Sequence, residues 1–131
     1  MKKFLFLTVM TAFVWLSCDK KNYDLDEIFT IQLNEPVTVS SITISLDSVS
    51  DSRCPTGAVC VTNGAAIGHF TFTKGGEKLT RQLKVIGLSS PPPPDTVSVF
   101  DKKAVLFDIS PYPNVNTNIA QKDYKAKMKL E

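Results

Sequence analysis

The chain has 131 residues, of which 15 are Lys or Arg and 13 are Asp or Glu, and its formal net charge at pH 7 is +2. This near balance gives no electrostatic basis for binding nucleic acid, so nucleic acid is excluded as a partner. A chain of this length can bury one hydrophobic core, which predicts a single folded domain.

The N-terminus has the pattern of a secretory signal. Lys2 and Lys3 precede a stretch from Phe4 to Leu16 that is apolar apart from two threonines, and this stretch is too short for a membrane-spanning helix of about 20 residues. It ends in Trp15-Leu16-Ser17-Cys18, which resembles a bacterial lipobox in which Leu16 is displaced one place from its commonest position. The resemblance implies cleavage after residue 17 and a diacylglyceryl group on Cys18. The alternative is an ordinary secretory signal in which the cysteine is incidental.

The compartment follows from this N-terminus. We predict a signal peptide over residues 1–17, a short, charged, lipidated tether over residues 18–27, and a domain over residues 28–131. Without Lys2 and Lys3, 13 basic residues balance 13 acidic ones. The predicted location is the bacterial cell envelope, with a lipid anchor in the outer membrane; the sequence leaves open whether the protein faces the periplasm or the cell surface.

The body of the chain reads as β-strands. From Ile28 onward apolar and polar residues alternate with period two, as at Phe29 to Leu33, Ile42 to Asp47, Ala66 to Thr73 and Tyr124 to Glu131. Prolines and glycines separate about seven or eight such runs, and only Asn118 to Asp123 suggests a helical turn. The pattern predicts an all-β fold, a single antiparallel β-sandwich of immunoglobulin-like kind, with a small open barrel as the alternative.

Two cysteines lie in a turn-rich segment, Asp51 to Gly64, which reads D-S-R-C-P-T-G-A-V-C-V-T-N-G. Pro55 fixes its own φ and Gly57 can adopt a positive φ, so this turn can bring the Cα atoms of Cys54 and Cys60 to about 5.5 Å. A redox pair favours C-x-x-C, and a zinc site needs three or four ligands. A structural disulfide is therefore predicted, with a free or reactive pair as the alternative.

The same segment resembles a known group of proteins. D-S-R-C-P followed by Cys60 and Gly64-Ala65-Ala66 is similar to a D-S-R-C-P…C…G-x-A loop in small bacterial lipoproteins. Those proteins often carry an aromatic residue where this chain has Thr62. The resemblance implies a β-sandwich-like domain of unknown function and brings no catalytic residues.

Three further features have structural and functional interpretations. His69, the only histidine, lies among threonines and no nucleophile motif accompanies it, so neither an enzyme, a cofactor nor a metal site is predicted. Pro91 to Pro94 favour a crossover or edge-guarding loop over a recognition ligand. Lys125, Lys127 and Lys129 favour an edge guard over an anionic partner.

These observations predict a non-enzymatic binding or accessory module that contacts an envelope protein or a glycan. The candidate binding loop comprises Arg53, Thr56, Ala58 and Val59, because a rigid, mildly apolar tip can insert into a partner. For Arg53 the alternative is a structural anchor that binds loop carbonyls or a carboxylate. The alternative function is an envelope inhibitor of a protease or lysozyme that acts through the Cys54–Cys60 loop.

Overall fold

A computed structural model describes residues 21–87 and 91–131. This part of the chain forms nine β-strands and one short 3-10 helix, Gln121–Asp123, which confirms the predicted helical turn. The strands are β1 Asn22–Tyr23, β2 Ile28–Gln32, β3 Val37–Val39, β4 Ile42–Asp51, β5 Ala65–Lys74, β6 Glu77–Ile86, β7 Asp95–Val99, β8 Lys102–Ser110 and β9 Lys125–Leu130.

The strands form two sheets, one in the order β1-β3-β4-β5-β6 and the other in the order β2-β9-β8-β7. All neighbours are antiparallel except β1 and β3, which are parallel. The two sheets do not close on one another. The all-β sandwich is therefore confirmed, and the alternative of a small open barrel is not what the chain forms.

The core lies between the two sheets because each strand turns alternate residues inward. On β5 the inward positions Ala66, Gly68, Phe70 and Phe72 are buried, as their alternation predicts. The core draws on both sheets, and its largest fully buried side chains are Phe29, Ile31, Ile42, Ile44, Leu46, Phe70, Phe72, Leu83, Leu106, Ile109, Met128 and Leu130. One continuous core is consistent with one domain.

Two β-bulges interrupt the alternation. On β4 the register shifts between Leu46 and Ser48, and on β8 it shifts between Leu106 and Asp108. A bulge adds one residue to one strand, so the next buried positions, Val49 and Ile109, come three residues after the previous ones instead of two. These shifts keep the ends of both strands, which lead into the loops described below, in contact with the core.

The first described strand lies within the segment predicted as the tether, residues 18–27. Asn22–Tyr23, assigned to the tether, forms β1 beside β3. The reason is packing, since the Tyr23 ring lies 5.4 Å from the ring of Phe29, measured between centroids. The sandwich therefore includes Asn22–Tyr23, whereas residues 18–20 of the predicted tether lie outside the described residues.

The predicted edge-guarding role of the lysine row is also wrong. Lys125, Lys127 and Lys129 lie on β9, which is not an edge strand because it pairs with β2 on one side and β8 on the other. Their side chains project from the face of the four-stranded sheet that is turned away from the core. The prolines match their prediction, because Pro91 to Pro94 lie in the connection from β6 in one sheet to β7 in the other.

The two ends of the sandwich differ. One end carries the connection from β4 to β5, residues 52–64, and the connection from β8 to β9, residues 111–124; we call it the loop end. The other end carries the tight turns, including Gly75-Gly76 between β5 and β6, where Lys74 bonds Asp101 of the β7–β8 turn. Charged residues concentrate at this second end, and the candidate site lies at the first.

Candidate functional site

The predicted disulfide is present. Cys54 and Cys60 are bonded, with their Cα atoms 5.9 Å apart, close to the distance expected for a disulfide. Within the ring, the Ala58 N–H donates to the Pro55 carbonyl at 3.1 Å, and Gly57 has a φ of +90°. The predicted Pro-Thr-Gly turn thus closes the loop, with glycine at the position that needs a positive φ.

The disulfide loop is also joined to the neighbouring connection. The Thr56 N–H donates to the Pro113 carbonyl at 2.9 Å, and the Val115 N–H donates to the Thr56 carbonyl at 3.2 Å. These bonds form a parallel bridge between Thr56 and Asn114. The loop is therefore held twice, by a covalent bond within itself and by backbone bonds to a second loop.

A buried ion pair forms the base of this assembly. The Arg53 side chain donates from Nε to Asp51 Oδ1 at 2.9 Å and from Nη2 to Asp51 Oδ2 at 2.7 Å. The side chains of Arg53 and Asp51 are only 1% and 5% exposed. Two-point contact of this kind is the strongest geometry available to an Arg–carboxylate pair. We call Asp51 and Arg53 with the groups that bond them the Arg53 network.

The Arg53 network connects distant parts of the chain. Arg53 also donates to the carbonyl of Ile109, near the end of β8, at 2.8 Å and to the carbonyl of Pro111, at the start of the second loop, at 3.0 Å. Its guanidinium lies 4.7 Å from the centre of the Tyr112 ring, whose hydroxyl donates to the Cys54 carbonyl at 3.0 Å. These contacts satisfy Arg53 from several sides, so they assign it a structural part in positioning both loops.

The Asp51 carboxyl is held in its charged form. Burial by itself raises its pKa, but hydrogen bonds from Arg53, the Arg53 charge and the Tyr124 hydroxyl outweigh burial and lower the pKa below its ordinary value of 3.8. Burial and the Asp51 charge raise the pKa of Tyr124 above 10.0, so its hydroxyl stays protonated and donates to Asp51 at 3.1 Å. No buried side-chain nitrogen or oxygen in the described residues lacks a partner.

The tip of the loop end, formed by residues 54–64 and 109–121, is uncharged and carries exposed apolar side chains. Val59 and Val61 flank Cys60 and are fully exposed, and Val115 on the second loop is half exposed. Residues 54–64 and 109–121 contain no Asp, Glu, Lys, Arg or His. The surface can therefore offer apolar contact and neutral hydrogen-bonding groups to a partner, without charge.

The four residues of the predicted binding loop do not have equal access to solvent. Thr56, Ala58 and Val59 are exposed, whereas Arg53 is buried beneath them. Sequence reasoning missed Val61 and Val115. Val61 could have been found from its place beside Cys60, but Val115 lies far away in sequence and reaches the tip only through the bridge to Thr56.

The other predicted positions lie elsewhere. His69 is half buried on the outer face of β5, between Ser48 and Gln82 of the adjacent strands. Cys18, the predicted lipidation site, lies outside the described residues. Within residues 21–87 and 91–131, no group of His, Cys, Asp or Glu is arranged to hold a metal ion, and no helix has the length and hydropathy to cross a membrane.

No protein-family model, no curated protein and no solved structure matches the chain. The arguments below therefore depend on the geometry and chemistry of the sandwich and its loop end.

We expect removal of the disulfide to lower stability moderately. The Cys54→Ser/Cys60→Ser variant lacks the closed ring of about seven residues, so its unfolded state has more conformational entropy. In the loop-entropy model this lowers the unfolding free energy by roughly 2.4 kcal/mol. For a domain of this size the melting temperature should fall by roughly 10 °C. Calorimetry measures this, and wild-type protein in reductant is the matched control. An unchanged melting curve would contradict a stabilising role of the disulfide.

The Asp51 carboxylate should also give stability a dependence on pH. Because its pKa is lower in the folded state, its contribution is complete above the ordinary pKa of about 4 and is lost as pH falls through the folded value. The difference in unfolding free energy between wild type and Asp51→Asn should be largest near pH 7 and should shrink below pH 4. Urea titrations at several pH values measure it. A difference that stays constant down to pH 2 would contradict the assignment.

Proposed function

We propose that the protein is a lipid-anchored, non-enzymatic module of a bacterial cell envelope that binds a partner protein through the tip of its disulfide loop. One observation carries this proposal: Val59 and Val61 are fully exposed on a loop that a disulfide and a backbone bridge both hold. Apolar side chains presented on a rigid element bind at a low entropic cost, because little ordering remains to be done on association.

The chemistry of the tip favours a protein over a glycan as the partner. Valine side chains gain free energy when an apolar pocket removes them from water, whereas the hydroxyl-rich surface of a glycan offers little such burial. Residues 54–64 carry no charge, so binding through them does not require the desolvation of ions. We therefore expect the partner to present an apolar depression, with neutral groups around its rim.

The anchor supplies the place of action. If a lipid is attached to Cys18, the four residue steps to β1 at Asn22 span at most about 14 Å. The sandwich would then be held close to the membrane surface, so its partner would be another envelope component. Two or three long acyl chains give stable anchoring, because each buried CH₂ contributes about 0.8 kcal/mol.

The lipid anchor can be tested without knowledge of the partner. Cells that express the full chain are grown with an alkyne-labelled fatty acid, and the purified protein is examined for label. We expect label on the wild type and none on Cys18→Ala, which should also leave the membrane fraction. Equal label on both proteins, or none on either, would contradict lipidation at Cys18.

The binding surface is tested by photo-crosslinking in intact cells of the source organism. A photo-reactive residue replaces Ala58 at the tip, and the control replaces Lys127, an exposed position on β9 away from the loop end. We expect one protein to be captured from position 58 and not from position 127. Added wild-type domain should compete for capture, whereas the Val59→Ser/Val61→Ser variant should compete at least tenfold less well.

Three results would overturn this proposal. Capture that is equal from positions 58 and 127 would mean that the contacts are nonspecific. If the Val59→Ser/Val61→Ser variant competes for capture as well as the wild-type domain does, the two valines do not contribute to binding. If neither position captures a protein, the contacts are with glycan or lipid, and the loop has only a structural role.

A second function, inhibition of an envelope protease or lysozyme, is favoured by the same exposed Val59 in a closed ring. A loop fixed in this way can enter an active-site cleft without being ordered first. The test is a panel of lysozymes and of serine proteases that cleave after small apolar residues. Inhibition at micromolar concentration that Val59→Asp abolishes would support it, and no inhibition at that concentration would exclude these enzymes as targets.

A further inference from the structure

The edge strand β6 presents backbone groups that no other strand within residues 21–87 and 91–131 occupies. It pairs with β5 alone, through a register that begins at Lys74 and Glu77 on either side of a two-residue turn. In such a hairpin the turn-flanking residues exchange hydrogen bonds, so alternate residues after Glu77 direct their N–H and C=O groups away from the partner strand. The outward residues are Lys78, Thr80, Gln82, Lys84 and Ile86.

Only part of this edge is covered. The Lys84 N–H donates to Asp95 Oδ2 at 2.9 Å, so the start of β7 caps that position. The Thr80 carbonyl accepts a bond at 2.9 Å from the side chain of its neighbour Arg81. Lys78, Thr80 and Gln82 are exposed, and the register leaves their outward N–H groups without a strand partner. The open edge therefore runs from Lys78 to Gln82.

The open edge is cationic. Lys78, Arg81 and Lys84 form no ion pair within the described residues, and Glu77 is the only acid on the strand. Two copies of β6 paired antiparallel over residues 78–82 would bring together two strands that each carry Lys78, Arg81 and Lys84. Like charges on neighbouring strands are destabilising, so a second copy is a poor occupant and an acidic strand is a good one.

We infer that the β6 edge from Lys78 to Gln82 binds an extended acidic segment of another protein, which adds a sixth strand to the five-stranded sheet. Backbone hydrogen bonds to Lys78, Thr80 and Gln82 supply affinity, as in other cases of strand addition. Carboxylates on the incoming strand pair with Lys78 and Lys84. The added strand competes with the Arg81 guanidinium for the Thr80 carbonyl.

If the chain is lipid-anchored, as the proposed function states, the β6 edge faces away from the membrane. A partner can then reach this edge from the side opposite the membrane. β1 and β6 are opposite edges of the same sheet and are separated by four strand spacings of about 4.8 Å, or roughly 19 Å. A chain anchored just before β1 therefore leaves β6 on the far side. The β6 edge is also distinct from the valine tip, so the two surfaces can be occupied together.

The test uses the full chain and synthetic peptides. The acidic probe is an acetylated heptapeptide of alternating Val and Glu. The matched probes are its Lys counterpart and an acidic version that is N-methylated along one edge, which keeps the charge and removes the backbone donors. Binding is measured by fluorescence anisotropy, and amide exchange of the protein by NMR.

We expect the acidic peptide to bind at least tenfold more tightly than either matched probe and to slow amide exchange at Lys78, Thr80 and Gln82 at least tenfold. Lys78→Glu/Lys84→Glu, at two exposed positions, should reverse the preference to the Lys peptide. Gln82→Pro removes an outward N–H that β5 does not use and should weaken binding tenfold. Val59→Ser/Val61→Ser should bind the acidic peptide as wild type does, which separates this test from that of the loop tip.

Two outcomes would overturn the inference. If the N-methylated peptide binds as well as the acidic one, attraction is electrostatic only and no strand is added. If no amide on β6 gains protection, Lys78 and Lys84 act only as guards that keep the edge from pairing.

Discussion

Arg53→Met should lower the unfolding free energy by about 3–5 kcal/mol, the cost typical of removing one member of a buried ion pair. Methionine fills similar space but leaves the Asp51 carboxylate buried without its counter-charge. It also leaves the carbonyls of Ile109 and Pro111 without the donors they now accept from. For a domain of this size the melting temperature should fall by roughly 12–20 °C. Urea unfolding measures the free energy and calorimetry the melting temperature.

Arg81→Met is the matched control for this prediction. Arg81 is the only other arginine in the chain, it lies on an edge strand, and its guanidinium donates to the neighbouring Thr80 carbonyl. Its replacement should cost less than about 1 kcal/mol, as is usual for a surface substitution. Equal losses from the two substitutions would show that the Arg53 network is not what holds the loop end together.

The Arg53 network also links stability to the proposed binding surface. Arg53 and Tyr112 hold the start of the second loop against the first, and the Thr56 bridge then places Val115 beside the disulfide tip. A substitution that weakens the Arg53 network without unfolding the protein should therefore increase local opening at the tip more than in the core. Amide exchange in residues 54–64 is expected to accelerate in Asp51→Asn while exchange in β5 and β9 stays slow, because local opening costs less than global unfolding.

Much of the fold could be predicted because alternation is a local signal. The period-two runs in β2, β4, β5 and β9 predicted a half-buried strand in each case, and Pro55-Thr-Gly57 predicted the turn that closes the disulfide. β1 and β3 escaped prediction because two or three residues are too few to show a period. Tyr23 in β1 is held by its contact with Phe29, which no local pattern reveals.

The order of the strands in the sheets could not be predicted from the sequence. The wrong prediction for the lysines of β9 follows from this. The lysines of β9 have the composition of an edge strand, yet β9 lies inside its sheet, while β6 lies at an edge of the other sheet. The site was predictable only in part, for the same reason. Asp51 and Arg53 are close in sequence, but the carbonyls of Ile109 and Pro111 that complete the Arg53 network are more than 50 residues away.

Gly64→Ala should be the second severe substitution, because Gly64 lies where the two ends of the disulfide loop cross closely. Its φ is +64°, and a Cβ built there would overlap the backbone carbonyl of Ser52. The left-handed backbone costs an alanine about 1–2 kcal/mol, and displacing a backbone carbonyl adds about 1–3 kcal/mol of overpacking. The unfolding free energy should therefore fall by roughly 2–5 kcal/mol, measured by urea titration.

Gly76→Ala separates the two causes. Gly76 also has a positive φ, +84°, but nothing lies within 4 Å of the Cβ that alanine would add. It should lose only the backbone cost of about 1–2 kcal/mol, and the excess loss in Gly64→Ala then measures the contact with Ser52. Because that contact closes the base of the disulfide loop, Gly64→Ala should also lose capture from position 58, whereas Gly76→Ala should retain it. Equal losses of stability in the two variants would mean that the crossing at Ser52 relaxes freely, and the loop end would then be too compliant to serve as a preorganised binding surface.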